Sequence, residues 1–238
     1  MTLENRIAVI TGASGGLGHI VARALAERGA NLALLERDPA KLTALRTRLA
    51  LPEARLLTHA VDLLEPDAVQ RAAEAVVARF GRVDILLHLV GGWTGGKTLL
   101  EAAPSELDAM LAQHVWTSFH VVRAFVPHLL HNGWGRILML TSPFAAQPAA
   151  KGGPYAMAKA AQEALILTLA QELKGTGVTA NVLQARTIDT RGEKVSAPTH
   201  ENASWTTPDE LSAAVLYLVS DEAGAVNGAR LPLFGGSR

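Results

Sequence analysis

Along this chain, short runs rich in leucine, valine and isoleucine alternate with longer alanine-rich amphipathic segments. Strands separated by helices cannot close as hairpins, so the rhythm demands βαβ units around a parallel sheet. The runs place strands at Ile7–Thr11, Leu32–Glu36, Arg55–Val61, Ile85–Val90, Arg136–Leu140, Val178–Leu183 and Arg230–Leu233. Helices are expected at Gly16–Arg28, Ala40–Leu49, Asp67–Phe80, Ser105–His131, Tyr155–Lys174 and Asp209–Ser220. The expected fold class is α/β, a doubly wound parallel sheet of about seven strands with helices on both faces. A parallel strand buried on both sides reads as a continuous apolar run, and Asp84 to Val90 comes close, with His88 as its exception. At 238 residues, with no repeat and no change of composition, the chain reads as one domain spanning 1–238. The longest irregular stretch, Asp189 to Thr206, is polar, contains Pro198 and is expected to be a substrate lid.

Charge narrows the function classes. Lysine plus arginine and aspartate plus glutamate stand at 22 each, which leaves no basic footprint for nucleic acid or an anionic membrane surface. A small-molecule substrate is the expected partner. The absence of cysteine removes disulfides, thiolate metal sites and a cysteine nucleophile, and no metal site is expected. The first residues, Met-Thr-Leu-Glu-Asn-Arg, carry no hydrophobic signal core, and no apolar run reaches membrane-spanning length. A soluble, cytoplasmic protein is expected.

The first strand runs into Thr11-Gly12-Ala13-Ser14-Gly15-Gly16-Leu17-Gly18 and then into a helical pattern. Glycine there lets the turn tighten, lets backbone amides approach a pyrophosphate, and lets helix and strand pack closely. The helix amino terminus adds free amides and the positive end of a dipole. A tight turn can use glycine for positive φ alone, but the position between a first strand and a first helix points to the Rossmann arrangement for a dinucleotide, with Gly12, Ser14, Gly16, Leu17 and Gly18 as expected cofactor positions. The second strand ends at Glu36, whose carboxylate can accept from both adenosine-ribose hydroxyls and would repel a 2′-phosphate, so NAD(H) is preferred. Arg37 beside it leaves NADP(H) open. Asp62, at the end of the third strand, can take the adenine amino group or serve as a turn or cap residue.

Gly152-Gly153-Pro154-Tyr155-Ala156-Met157-Ala158-Lys159 opens a long helix and puts Tyr155 and Lys159 on one face. A phenol with a pKa of about 10 is a poor base at neutral pH, but a neighbouring ammonium favours the phenolate, and the two make an acid/base pair. Ser142 closes the fifth strand, at the end of the sheet where ligands gather, and is placed to bind a substrate oxygen or to cap a turn.

The Thr-Gly-x-x-x-Gly-x-Gly of Thr11–Gly18, Ser142, and the Tyr-x-x-x-Lys of Tyr155–Lys159 together resemble the short-chain dehydrogenase/reductase family over essentially the whole chain. The resemblance implies that Tyr155 donates or accepts the proton. It implies that Lys159 lowers the tyrosine pKa and holds the nicotinamide ribose, and that Ser142 orients the carbonyl. It adds Ile188 and Thr190 beside the nicotinamide, Gly91 as a further cofactor position, a strand order of 3-2-1-4-5-6-7, and a homodimer or homotetramer. Three places depart from the family pattern. His88-Leu89-Val90-Gly91 stands for Asn-Asn-Ala-Gly, and Ala185-Arg186 for the usual Pro-Gly. His114 stands for the helix asparagine that completes a proton relay, where its imidazole could exchange protons near neutrality or be a structural histidine.

Other segments, among them Gly91-Gly92-Trp93-Thr94-Gly95-Gly96 and Val115-Trp116-Thr117-Ser118, are similar to quinonoid dihydropteridine reductases. The expected function is NAD(H)-dependent hydride transfer to or from a small carbonyl or secondary alcohol, including the 3-oxoacyl type. A dihydropteridine reductase-like enzyme and a non-catalytic dinucleotide-binding regulator are the alternatives.

Overall fold

The computed structural model describes residues 2–234. Its strands are β1 (Ile7–Thr11), β2 (Asn31–Glu36), β3 (Leu56–Ala60), β4 (Ile85–His88), β5 (Gly135–Thr141), β6 (Val178–Gln184) and β7 (Arg230–Pro232). All pair in parallel in one sheet, in the order β3-β2-β1-β4-β5-β6-β7. The helices are α1 (Gly18–Glu27), α2 (Pro39–Leu49), α3 (Pro66–Phe80), α4 (Pro104–Leu111), α5 (Thr117–Asn132), α6 (Gly153–Glu172), α7 (Glu193–Ser196) and α8 (Pro208–Leu218).

Strand burial explains the helix placement. Residues of β1 alternate between two apolar layers, Ile7 and Val9 facing one and Ala8 and Ile10 the other. The first layer is closed by α3, α5 and α6 through Val69, Phe125 and Ile166. The second is closed by α1, α2 and α8 through Val21, Leu42 and Val215. A doubly wound sheet of this kind is the expected Rossmann-type architecture. The direction of winding reverses between β1 and β4, and the carboxyl ends of the strands at such a reversal are where doubly wound sheets take their ligands.

Four local features differ from the sequence-based expectation. Helix α1 starts at Gly18 rather than Gly16, because residues 12–17 are spent on the turn. Strand β4 stops at His88 rather than Val90, since the chain there passes across Gly12: a Cβ on that glycine would lie 3.0 Å from the Val90 nitrogen. The helix expected across Ser105–His131 is broken into α4 and α5 by a π-helical turn at Ala112–Trp116, in which the Thr117 amide bonds the Ala112 carbonyl. The lid stretch 189–206 is not wholly irregular. Asp189 is buried and its carboxylate accepts from the amides of Glu193 and Lys194 at 2.8 and 2.9 Å, which starts the short helix α7.

Phe125 on α5 is fully buried between that helix and the sheet. Phe125→Ala is expected to lower unfolding free energy by about 3–5 kcal/mol, read from the urea midpoint, with the sheet order unchanged.

Candidate active site

At the adenosine end of the crevice, steric fit decides which residues are possible. Gly12 has a φ of 66° and runs directly beneath the Leu89–Val90 backbone. A Cβ on Gly18 would strike the Gly12 carbonyl and Ala13, so only glycine lets α1 start this close to β1. At its glycines the turn therefore presents backbone, not side chains, to whatever binds above it. A cleft of about 640 Å³ opens there, walled by Gly12, Ser14, Glu36, Arg37, Asp62 and Gly91, among others. The Glu36 carboxylate is held by the Ser14 hydroxyl and by the Arg37 amide at 2.8 Å. Asp62 accepts from the Leu64 amide at 2.9 Å, the turn role, while still lining the cleft. Leu17 caps α1 and points into the core. Ile188 bridges to Thr206, and the Thr190 side chain lies directly against Gly16. A turn with glycine at Gly12, Gly16 and Gly18, with an acidic residue at the tip of β2, fits the adenosine and pyrophosphate of a dinucleotide.

The other end collects the chemistry. Ser142 lies at the end of β5, where its hydroxyl accepts from the Phe144 amide at 3.3 Å and caps a 3₁₀ turn over Pro143–Ala145. The Tyr155 phenol lies close enough for this hydroxyl to affect its pKa, and of the two roles expected of Ser142 the turn cap is the one its hydrogen bond displays. Burial raises the Tyr155 pKa, and the Ser142 hydroxyl opposes that rise. The expectation that Lys159 lowers the phenol needs correction for this state of the protein. The ammonium lies 5.9 Å from the tyrosine ring centroid and is directed elsewhere, donating to the Leu140 carbonyl at 3.0 Å and to Gln162 Oε1 at 2.9 Å. Burial brings its own pKa down to about 7, with Glu163 working the other way.

His114 lies within the π-helical turn, fully buried, its ring edge-on to Tyr155 at 5.6 Å between centroids. Nε2 is 3.0 Å from the Gly92 carbonyl and must donate to it, which leaves Nδ1 as an unprotonated lone pair with no protein partner. Burial and the nearby Lys159 ammonium push the pKa down to about 3. The imidazole is thus neutral near pH 7. It offers a fixed acceptor and not the proton exchange near neutrality read from its residue type. Gly91 lies between the two groups, since a Cβ on it would be 3.8 Å from Lys159 Nζ and 4.0 Å from His114 Nδ1.

His88 has a role that its position as the polar exception in β4 signalled without explaining. Its Nδ1 is 2.8 Å from the Thr11 hydroxyl and its Nε2 3.4 Å from that of Thr117. Thr117 spends its own proton on the Gln113 carbonyl at 2.6 Å, so it accepts from Nε2 and the tautomer follows. The histidine links β1 to the helix break and is neutral, its pKa lowered to about 3 by burial first and by Lys159 and His114 second. At Ala185-Arg186 the Ala185 amide still bonds the Thr141 carbonyl at 3.2 Å, and the chain then bends at an exposed Arg186. Gln162 and Ser118, both buried around Lys159, were not found from sequence. The available signal was spacing, because Gln162 stands three residues after Lys159 on the same helical face.

Residues 6–201 match the short chain dehydrogenase family model. D-threitol dehydrogenase of Mycolicibacterium smegmatis is 31% identical, over 98% of this chain and 93% of that protein. Among solved structures, the 3-ketoacyl-(acyl-carrier-protein) reductase of Brucella melitensis complexed with NADH superposes with a TM-score of 0.89 at 26% identity, over 99% of each chain. An NADPH-bound short chain oxidoreductase from Pseudomonas aeruginosa PAO1, described as containing an atypical catalytic center, also gives 0.89 at 26% identity, over 100% of this chain and 98% of that one. This chain belongs to the short-chain dehydrogenase/reductase family and is an NAD(P)-dependent oxidoreductase. Among the described residues, no helix is long and apolar enough to cross a membrane.

The two buried histidines carry a stability signature. Their folded pKa values of about 3 lie below the ordinary 6.5, so the unfolded chain binds more protons between those limits. Stability should fall as pH drops through that window, with uptake of about two protons on unfolding assignable to this pair. Urea midpoints measured from pH 7 to 4 check it, and His88→Asn should make the slope shallower by about one proton.

Proposed function

We propose that the protein transfers hydride between NAD(H) and a small carbonyl or secondary alcohol, with 3-oxoacyl compounds inside that class. The observation that carries the reading is the convergence of Ser142, Tyr155 and Lys159 at the carboxyl end of the sheet, opposite a glycine turn that presents bare backbone. The nicotinamide supplies or accepts the hydride when bound. Gly12, Gly16 and Gly18 would pass beneath its pyrophosphate and Glu36 would take the adenosine ribose. Lys159 would take the nicotinamide ribose, with Ile188, Thr190 and Gly91 lining the ring.

The protein's own groups then handle the oxygen. Ser142 orients the substrate oxygen, and Tyr155 moves a proton at its Oη. Burial of Tyr155 keeps that proton in place at neutral pH, which suits the reductive direction. Segment 189–206 is proposed as the cover over the substrate, on a single domain spanning the chain. Exposed Trp116 and Phe119, in edge contact at 6.1 Å, support self-association as a dimer or tetramer, and a cytoplasmic location belongs to the same proposal.

Preference for NAD(H) rests on Glu36. A 2′-phosphate set beside that carboxylate pairs like charges, and Arg37 and Lys41 border the same cleft as the only cations among its lining residues. The B. melitensis relative was seen with NADH and the P. aeruginosa one with NADPH, so neither decides the preference. NADH should bind more tightly than NADPH in a fluorescence titration, and Glu36→Ala should narrow the gap. Equal or tighter NADPH binding by the parent would transfer the role to Arg37 and Lys41.

The activity itself is tested by NADH absorbance on a panel of hydroxy acids, polyols, 3-oxoacyl thioesters and quinonoid dihydropterin. Tyr155→Phe should lower turnover by about 10²–10⁴-fold while cofactor affinity holds. Ser142→Ala should cost about 10²-fold on carbonyl substrates, through loss of one donor to the developing alkoxide. Retained activity in the tyrosine variant would refute the assignment. Turnover confined to the dihydropterin would refute the substrate class and favour the pterin reductase reading.

A further inference from the structure

A buried ammonium must have its protons placed, because each unsatisfied one costs far more inside the protein than in water. Lys159 is 3% exposed. Two of its protons are accounted for, one by the Leu140 carbonyl at the end of β5 and one by Gln162 Oε1. The third is left for the space beside Gly91, which the His114 Nδ1 lone pair also borders.

Gln162 is fully buried. Its amide orientation is set by its neighbours, since an ammonium can only donate and therefore takes the oxygen. The nitrogen is thereby turned to Ser118 Oγ at 2.8 Å. Ser118 in turn donates its proton to the carbonyl of His114 at 2.5 Å. A chain of three hydrogen bonds runs from the lysine, through the amide and the hydroxyl, to the backbone of the π-helical turn. His114 is held at both ends by this arrangement, its carbonyl by Ser118 and its ring by Gly92.

We propose that Gln162 is a positioning residue for the reaction: its oxygen holds the Lys159 ammonium, while its nitrogen, by way of Ser118, registers that ammonium against the turn carrying His114. This rests on the hydride-transfer reading above, in which Lys159 serves the nicotinamide ribose. An apolar side chain of the same volume would fill the space between α5 and α6 equally well. A buried amide satisfied at both ends supplies directionality instead. With Gln162 in place, Lys159 cannot rotate toward Tyr155 or Gly91 without giving up one of its two hydrogen bonds, to Leu140 or to Gln162.

Every charged or titratable group facing Lys159 enters the test. Tyr155 and Glu163 lie on α6 with it, His114 lies on the turn and His88 at the end of β4. Glu163 accepts from Arg230 at 2.8 Å and from Gln184 at 2.6 Å, which offsets its charge, and both histidines are neutral near pH 7.

The chain has six lysines, few enough for ε-¹³C-labelled lysine to be followed by NMR, with Lys159→Met supplying the assignment. The measurement is made on the cofactor-free protein and so does not depend on turnover. Gln162→Met should lower the Lys159 titration midpoint and Gln162→Glu should raise it, each by about one pH unit. In kinetics, Gln162→Met should lower kcat about tenfold, the scale of a hydrogen bond to a charged group, with substrate KM changed less than kcat. Ser118→Ala should move both readouts in the same direction as Gln162→Met and by less.

Unchanged midpoint and kcat in Gln162→Met, at a melting temperature close to the parent's, would reduce the residue to core packing and overturn the proposal. If that variant does not fold, unchanged midpoints in Gln162→Glu and Ser118→Ala overturn it equally. A parent protein that turns over nothing on the panel defeats the hydride-transfer reading alone, and the titration still decides whether Gln162 holds the lysine.

Discussion

A primary ammonium enclosed between a strand end and a helix break imposes more on this molecule than any other single group. Lys159 could have been left in water on the surface of α6. Its burial brings a desolvation cost that must be offset by acceptors in fixed places. The Leu140 carbonyl is free to serve only at the carboxyl edge of the sheet, and Gln162 is available only because α6 runs past that edge. The pairing of β5 with β6, the entry of α6 after Ser142 and the π-helical turn at 112–116 all meet around this one charge.

The π-helical turn is the counterpart of that demand on the facing helix. Its shifted hydrogen bond leaves the Gln113 and His114 carbonyls to be taken by the hydroxyls of Thr117 and Ser118. Thr117 is at the same time the acceptor for His88, and His88 reaches across to Thr11 beside the glycine turn. Hydrogen bonds therefore link Thr11, at the start of the glycine turn, through His88 and Thr117 to the π-helical turn, and His88 stays neutral within them.

Much of the architecture was legible because its cause is local. Alternating strand and helix patterns determine a parallel sheet, and the spacing of Gly12, Gly16 and Gly18 reflects contacts with the next few residues and with one neighbouring strand. Tyr155 and Lys159 were readable together because both lie on one helix. What escaped was set by distance in the sequence. The interruption between α4 and α5 has no glycine or proline to announce it, and depends on Thr117 finding a histidine 29 residues earlier. Helix α7 is only four residues long and owes its start to one buried carboxylate, Asp189. The tautomer and charge of His114 depend on a carbonyl at Gly92 and on burial, neither of which residue type reveals.

The Glu163–Arg230 pair ties α6 to β7, the last strand of the sheet, 67 residues further on. During synthesis the tyrosine, the lysine and the glutamine that holds it all emerge well before that arginine. Until β7 docks, Glu163 has Gln184 as its donor but lacks the cation that balances it, and its uncompensated charge lies one position along the helix from Gln162. The charge balance of Glu163 on α6 is therefore completed only when β7 pairs with β6 at the edge of the sheet.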